Sequence, residues 1–177
     1  MAARPPGTGC HSHGRAPSRV AAAAAVALPL ALAGGCAGYS PDGIPAGSSS
    51  TEVIARMGPP KARFVTPSGG ERLEFWRGPF GKHTFMVDFD AQNRMLGWEQ
   101  VLTEANFYAL RHGMTKDEVL YRIGHPSEFQ FLTWPQQHLW SYRYVSPFCV
   151  WFQVSLDTQD QVVALGNNND PICTVKF

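Results

Sequence analysis

The sequence has few charged residues and no marked excess of either sign. Only 16% of its 177 residues are charged, with 15 basic and 14 acidic side chains. Three of the basic residues precede Cys36, so the remaining chain carries 12 basic residues against 14 acidic ones. A nucleic acid or an anionic membrane is recognised through a basic face, which this balance does not supply.

The sequence also lacks the common catalytic patterns. It contains no Gly-x-Ser-x-Gly, P-loop or His-Glu-x-x-His motif, and its histidines do not have metal-ligand spacing. The histidines considered are His83, His112, His125 and His138. His125 follows Gly124 and precedes Pro126, where a role in a helix-exit turn is expected. The aspartate pairs Asp88/Asp90 and Asp157/Asp160 bracket turns. We therefore predict no enzyme, no metal and no cofactor.

No hydrophobic run reaches the ~20 residues that span a bilayer as a helix. The longest, Val20 to Leu32, has 13 residues, follows Arg19 and precedes small residues. That arrangement is typical of the hydrophobic region of a signal peptide. Residues 1–35 are accordingly predicted to be a signal peptide.

The phrase Leu32-Ala33-Gly34-Gly35-Cys36-Ala37 resembles a bacterial lipobox. The resemblance implies that Cys36 is lipidated and becomes the first residue of the mature protein; Ala37 after it favours the outer membrane, periplasmic face. The alternative is an ordinary secretory signal that leaves Cys36 as a free or bridged thiol. Residues 36–46, rich in Pro, Gly and Ser, are predicted to be a flexible tether.

Cys149 and Cys173 are the cysteines that follow Cys36. If Cys36 is acylated, they are the two thiols that remain in an oxidising compartment. We predict a disulfide between them, which would join the start of a strand to the C-terminal tail. The alternative is two independent buried thiols.

The stretch from Gly113 to Pro126 has the pattern of one short helix with start and stop signals at its two ends. Thr115 and Glu118 have the spacing of a capping box. Gly124 suits a left-handed position after the helix, and Pro126 prevents its continuation. The pattern predicts a helix over Lys116–Ile123.

The same pattern occurs 66 residues earlier, where it predicts a helix over Ser50–Met57. The shared positions are Gly47, Ser49, Glu52, Val53, Ile54, Arg56, Met57, Gly58 and Pro60, each matching its counterpart in Gly113–Pro126. A common offset that retains all of the capping and terminating residues indicates a tandem duplication. The predicted units are residues 47–102 and residues 103–177, the first lacking the helix that we predict over Thr103–His112.

Alternating strands follow each helix. In the first unit we expect a short strand at Lys61–Thr66, then a meander of Arg72–Arg77, Lys82–Asp90 and Arg94–Leu102. The second unit repeats this with a short strand near Glu128–Leu132, followed by His138–Tyr144, Cys149–Leu156 and Gln161–Leu165. Leu73 matches Leu139 at offset 66, whereas Phe85 matches Phe152 at 67, which predicts a one-residue insertion at the Pro79 or Pro147 turn. The fold prediction is α+β: two tandem units of a helix and an antiparallel three-stranded meander, with the helices on one sheet face.

The phrase Gly-Met-Thr-x-x-Glu-Val-x-x-x-x-Gly-x-Pro is similar to the SmpA/OmlA (BamE-like) lipoprotein family. Here it is carried by Gly113, Met114, Thr115, Glu118, Val119, Gly124 and Pro126. The resemblance implies a helix pair on a three-stranded sheet, no catalysis, and protein contacts that serve outer-membrane protein assembly or envelope integrity. Two copies in one chain also look like secreted β-lactamase inhibitor proteins, so inhibition of a periplasmic or secreted hydrolase is the alternative.

Aromatic side chains are plentiful, at 12% of the chain, and some are expected on an open sheet face. Rings on such a face would suit protein recognition. The partner-binding candidates are Trp140, Tyr142, Tyr144, Trp151 and Met86. The alternative is that the two units pack those faces on each other.

Overall fold

A computed structural model describes residues 38–78 and 81–173. The predicted signal peptide, residues 1–35, and the lipidation site Cys36 lie outside the described residues.

The described residues form two four-stranded antiparallel sheets and three short helices. In the first half, α1 (Ser50–Met57) precedes β1 (Ala62–Val65), β2 (Glu71–Arg77), β3 (His83–Phe89) and β4 (Met95–Gln100). In the second half, α2 (Glu104–Tyr108) and α3 (Lys116–Ile123) precede β5 (Glu128–Thr133), β6 (Gln136–Arg143), β7 (Val150–Leu156) and β8 (Val162–Asn169). A 3-10 helix at Pro171–Cys173 follows. Each sheet is an antiparallel meander in chain order, so the α+β class is confirmed.

Two predictions about the elements need correction. Each sheet has four strands rather than three, because the short strands at β1 and β5 pair along their length with β2 and β6. The helix predicted over Thr103–His112 is shorter, Glu104–Tyr108. It begins where the Thr103 side chain accepts a hydrogen bond from Asn106 N. It ends near Arg111, whose guanidinium binds the carbonyl of Leu110 at 2.8 Å.

The two predicted capped helices are confirmed with their bounds. Ser49 and Glu52 form a capping box at α1, and Thr115 and Glu118 form one at α3. In each box the glutamate carboxylate accepts the backbone N–H of the cap residue, and this bond is the main cause that lowers the pKa of Glu118. Because the first-turn N–H groups are satisfied locally, these short helices have fixed starts.

The two halves share the same irregular features at corresponding positions. A β-bulge lies at Asp88/Phe89 in the first and at Ser155/Leu156 in the second. Isolated bridges join Ser49 to Arg94 and Thr115 to Gln161. Asn93, which precedes Arg94, and Asp160, which precedes Gln161, both have positive φ. Bulges and left-handed residues depart from regular strand geometry at single positions. Because they recur at corresponding positions, the two halves have the same local backbone structure there.

The pairing registers locate the one-residue difference between the halves. Val65 pairs with Glu71, and Phe131 pairs with His138. Five residues, 66–70, lie between Val65 and Glu71, whereas six residues, 132–137, lie between Phe131 and His138. The second hairpin is therefore one residue longer. The prediction that placed the insertion at the Pro79 or Pro147 turn is wrong. Leu73 therefore corresponds to Trp140 in the sheet, not to Leu139.

The described residues form layers, with α3 between the two sheets. Helix α1 covers one face of the first sheet, and Val53 and Met57 are buried there against Leu73 and Phe75. Helices α2 and α3 cover the inner face of the second sheet, and Met86 from the first sheet joins the same core. Val119 and Ile123 of α3 are fully buried, and each such side chain contributes about 1.5–3 kcal/mol. Helix α3 thus packs on both sheets.

Residues 38–46, predicted to be a flexible tether, lie against the first sheet and α1. The Tyr39 hydroxyl is 2.6 Å from His83 Nδ1, and Gly38 N donates to the carbonyl of Arg56. The Tyr39 ring also meets Phe85 edge-on at 6.2 Å. Phe85 corresponds to Phe152, on which Phe107 of α2 stacks in the second half. This segment therefore occupies the place of the helix that the first half lacks, and a free tether is not supported for it.

Candidate functional site

The rings predicted to bind a partner are buried. Four of the candidates line the core around α2 and α3: Met86, Trp140, Tyr142 and Tyr144. They are 0–7% exposed because Phe107 of α2 packs into the same face, with its ring 5.0 Å from that of Tyr144. Trp151 lies on the other face of the second sheet and is 8% exposed, beneath the guanidinium of Arg143. These residues therefore offer no open surface to a partner, which corrects the expectation. The alternative, in which the two units pack those faces on each other, fits Met86, which joins the core of the second unit, whereas Trp140, Tyr142 and Tyr144 are covered by helices of their own unit.

Cys149 and Cys173 are joined in a disulfide, with Cα atoms 6.4 Å apart. Their separation lies within the range that such bonds span. The bond ties the residue before β7 to the 3-10 helix after β8. The C-terminal segment is thereby held beside the start of a central strand.

A buried ion pair lies beside this disulfide. Arg143 donates from Nε to Asp170 Oδ2 at 2.7 Å and from Nη2 to Asp170 Oδ1 at 3.2 Å. Glu128 Oε1 lies 2.7 Å from Arg143 Nη2. Burial raises the pKa of Asp170, but the hydrogen bonds from Arg143 and from the backbone of Ile172 outweigh it, so the net shift is downward. The pair braces the end of the second sheet.

A second buried acid fixes α3 to the first sheet. Glu74 is fully buried in β2, and its two oxygens accept from the backbone N of His125 at 2.9 Å and meet His125 Nδ1 at 2.7 Å. Next to it, Tyr142 donates to the carbonyl of Gly124 at 3.0 Å. Burial first, and then the charge of Glu74, raise the pKa of Tyr142 well above its ordinary value. The expected helix-exit role of His125 thus includes two contacts that join the end of α3 to the first sheet.

Sequence reasoning missed Glu74 because nothing in a single strand shows that both of its faces are covered. The available signal was a carboxylate that stands between Leu73 and Phe75. Asp90 and Asp157 behave as predicted, since each carboxylate accepts two backbone N–H groups within its own turn. The hydrogen bond from the backbone of Arg94 lowers the pKa of Asp90.

A concave surface lies between the first sheet and helices α2 and α3, and we call it the Tyr121 cleft. It consists of two adjoining cavities of about 570 Å³ each, which share Tyr121 and Glu99. The remaining lining includes Arg72, Asp88, Leu96, Trp98, Asn106, Asp117 and Arg122.

The ring of Tyr121 is held in place by two neighbouring side chains. The Arg72 guanidinium lies 5.0 Å from its centroid, and the Phe64 ring meets it edge-on at 6.0 Å. Arg72 is itself fixed by Asp88, whose oxygens lie 2.9 and 3.0 Å from Nη1. A ring immobilised in this way loses little freedom when a ligand covers it, which favours binding.

The rim of the cleft is apolar and the walls carry both charges. Leu96 is 63% exposed and Trp98 is 40% exposed. Asn106 Nδ2 donates to Glu99 Oε1 at 2.7 Å, which orients that wall. An open, mixed surface of this size can hold an extended piece of polypeptide by ring contacts and charge pairs. The residues that the structure describes contain no group of three or more His, Cys, Asp or Glu side chains arranged to hold a metal.

Comparison with known proteins gives no relative. No family model, no curated protein and no solved structure matches the chain. Within residues 38–78 and 81–173, the helices are all too short or too polar to cross a membrane.

Proposed function

We propose that this protein is a non-catalytic lipoprotein of the outer membrane that binds other envelope proteins, and that it contributes to outer-membrane protein assembly or envelope integrity. The lipobox-like phrase ending at Cys36 and the SmpA/OmlA-like motif around Thr115 support the class. The Tyr121 cleft supports the binding role, and it is the single observation on which the proposal rests.

The tandem arrangement belongs to the same proposal. Each half has a capped helix, a bulge at the same place and a left-handed residue in the same turn. We take the halves to be copies of one ancestral helix-and-sheet unit. Residues 38–46 replace the first helix in one copy, and the Tyr121 cleft formed where α3 of the second copy met the sheet of the first.

Lipidation is tested by the intact mass of protein extracted from membranes with detergent. The expected mature chain begins at Cys36 and carries a diacylglyceryl group and an amide-linked acyl chain. The Cys36→Ser variant should leave the membrane fraction. An unmodified Cys36, or a mature N-terminus elsewhere, would remove the anchor from the proposal.

Binding is tested by chemical crosslinking and pull-down from membranes with a matched pair of variants. Leu96→Arg places a charge on the rim of the cleft, whereas Tyr108→Arg changes an equally exposed residue outside its lining; their exposures are 63% and 62%. Envelope proteins captured by the wild type should be lost from Leu96→Arg and retained by Tyr108→Arg. Equal capture by both variants would place the binding surface elsewhere.

The alternative is that the protein inhibits a periplasmic or secreted hydrolase. The loop between β6 and β7 favours it, because Val145 is 67% exposed and Phe148 is 78% exposed beside the Cys149–Cys173 bond. A preorganised apolar loop can block an active site at low entropic cost. A hydrolase among the captured proteins, released by Phe148→Ser, would select this alternative.

A further inference from the structure

Strand β5 is an edge strand with exposed rings on one face. Phe129 and Phe131 alternate along it and are 77% and 48% exposed, and Trp134 at the hairpin tip is 92% exposed. The pairing partners of the two phenylalanines, Trp140 and His138, show that both rings lie on the side of the sheet that α2 and α3 cover. Beyond α3 that side is uncovered.

The other three edges carry features that discourage strand addition. Strand β1 follows Pro59-Pro60 and contains Arg63; β4 contains Gly97 and Glu99 after its bulge; β8 ends in three asparagines after Gly166. Strand β5 has no proline and one charged residue, Glu128, which is paired with Arg143. Charges, prolines and bulges protect natural sheet edges from joining other strands. Strand β5 is therefore the least protected edge of the two sheets.

We propose that β5 pairs with β5 of a second copy of this chain, antiparallel about a two-fold axis through Gln130. In this register Phe129 lies opposite Phe131 of the partner copy, so two phenylalanine pairs form on one face. Glu128 lies opposite Leu132, so no like charges face each other. The two sheets join into one of eight strands, and the symmetry gives a closed dimer with the same edge used by both copies.

The same register places the tip of one copy at a cavity of the other. Trp134 lies opposite Pro126, which lines an apolar cavity of about 290 Å³ together with His125, Phe129 and Trp140. That volume is at the lower limit of small-molecule sites, so it suits a single large side chain. In each dimer the hairpin tip of each copy thus lies beside this cavity of the other copy, whose lining also includes Lys116, His138 and Asp160.

The buried area indicates a reversible dimer. At about 200 Å² for each aromatic side chain, the exposed parts of the three rings amount to about 430 Å² in each copy, or about 900 Å² in the pair. The two strand backbones bring the total close to the ~1,200 Å² at which specific interfaces begin. Anchoring both copies in one membrane would raise their local concentration and favour pairing.

A membrane is the less suitable occupant of this surface. Residues 38–46 are docked at His83, next to Lys82, whose charge acts on Asp170 at the Arg143 end of β6. Trp134 precedes β6 and lies at the opposite end of that strand, about 25 Å away at ~3.3 Å per residue. Tyr39 therefore lies near the end of the second sheet that is far from Trp134.

The register is tested with single cysteines in the full chain, on a Cys10→Ser/Cys36→Ser background in which Cys149 and Cys173 remain bridged. Gln130→Cys should form a disulfide-linked dimer with itself under mild oxidation. Glu128→Cys and Leu132→Cys should each stay monomeric and should crosslink when mixed. Self-crosslinking of Leu132→Cys in place of Gln130→Cys, or no crosslink in any sample, would overturn the proposal.

A second measurement uses sedimentation equilibrium of the same background without added cysteines. Phe131→Arg should raise the dimer dissociation constant at least tenfold. Val65→Arg is the control, because Val65 holds the corresponding position in β1 and is 82% exposed; it should change nothing. A background chain that remains monomeric at about 100 µM, well above the dissociation constant of a micromolar complex, would overturn the proposal, whatever the anchor or the Tyr121 cleft does.

Discussion

Replacing Gly124 by alanine measures how closely α3 sits on the first sheet. Gly124 has φ of +76°, and a Cβ built there would lie 2.8 Å from Glu74 Oε1 and 3.0 Å from Thr84 Cγ2. With its ψ of −166° this backbone conformation is open essentially only to glycine, so any other residue there costs at least about 1 kcal/mol. The clash adds about 2 kcal/mol, because the Glu74 carboxylate must move away from His125 N or α3 must lift.

Gly113→Ala is the matched control. Gly113 precedes α3 and has φ of +80°, but a Cβ there meets nothing within 4 Å. We therefore expect it to lower the free energy of unfolding by about 1 kcal/mol, against about 3 kcal/mol for Gly124→Ala. Both substitutions reduce the freedom of the unfolded chain equally, so that contribution cancels in the comparison.

The assay is urea unfolding followed by tryptophan fluorescence. With an m value of about 2 kcal/mol/M, the difference of about 2 kcal/mol moves the midpoint of Gly124→Ala about 1 M below that of Gly113→Ala. Equal midpoints would refute the reasoning, because they would mean that Glu74 does not lie against the end of α3.

Three further predictions concern stability. Asp170→Asn should lower the free energy of unfolding by about 3 kcal/mol at pH 7, because the buried charge of Arg143 loses the carboxylate of Asp170. The pKa of Asp170 in the folded protein is lowered from 3.8, so this cost is fully present above pH 3.8. It should shrink as the pH falls through the folded-state pKa, which an acid titration of unfolding would measure. Alkylation and mass analysis without reductant should find no free thiol at Cys149 or Cys173, and free thiols there would contradict the disulfide. Reduction of the disulfide should lower the free energy of unfolding by about 3 kcal/mol, given the 24-residue separation of the two cysteines. Thr115→Ala should cost about 1 kcal/mol in thermal unfolding by removing the cap of α3, and an unchanged midpoint would contradict it.

The helices and strands whose ends are marked by capping or turn residues could be predicted from the sequence. The bounds of α1 and α3 follow from Ser49 and Thr115 at their starts and from Gly58 and Gly124 at their ends. Most strand bounds follow from alternation and from the turn residues between the strands. These signals are local because capping and turn hydrogen bonds join residues only a few positions apart.

The faces of the strands could not be predicted, because a strand does not record what packs on it. Tyr142 and Trp140 alternate like surface rings, yet α2 and α3 cover them. Glu74 occupies a position that reads as solvent-facing until α3 is placed over it. The docking of residues 38–46 was missed for a similar reason, since Tyr39 finds His83 only after the first sheet has formed.

The Tyr121 cleft depends on contacts between the halves, which no local pattern specifies. Arg72 comes from β2, Tyr121 from α3 and Asn106 from α2. The sequence shows them as ordinary polar and aromatic positions. Their convergence follows from α3 packing on both sheets.

Site-specific photocrosslinking in intact cells tests the central claim most directly. A photoreactive amino acid replaces Trp98 on the rim of the cleft in one strain and Tyr108 outside the cleft in another. The account predicts that irradiation links position 98, and not position 108, to an envelope protein identified by mass spectrometry. Position 98 that yields no adduct, or gives the same adducts as position 108, would contradict the claim that this cleft is where the protein binds its partners.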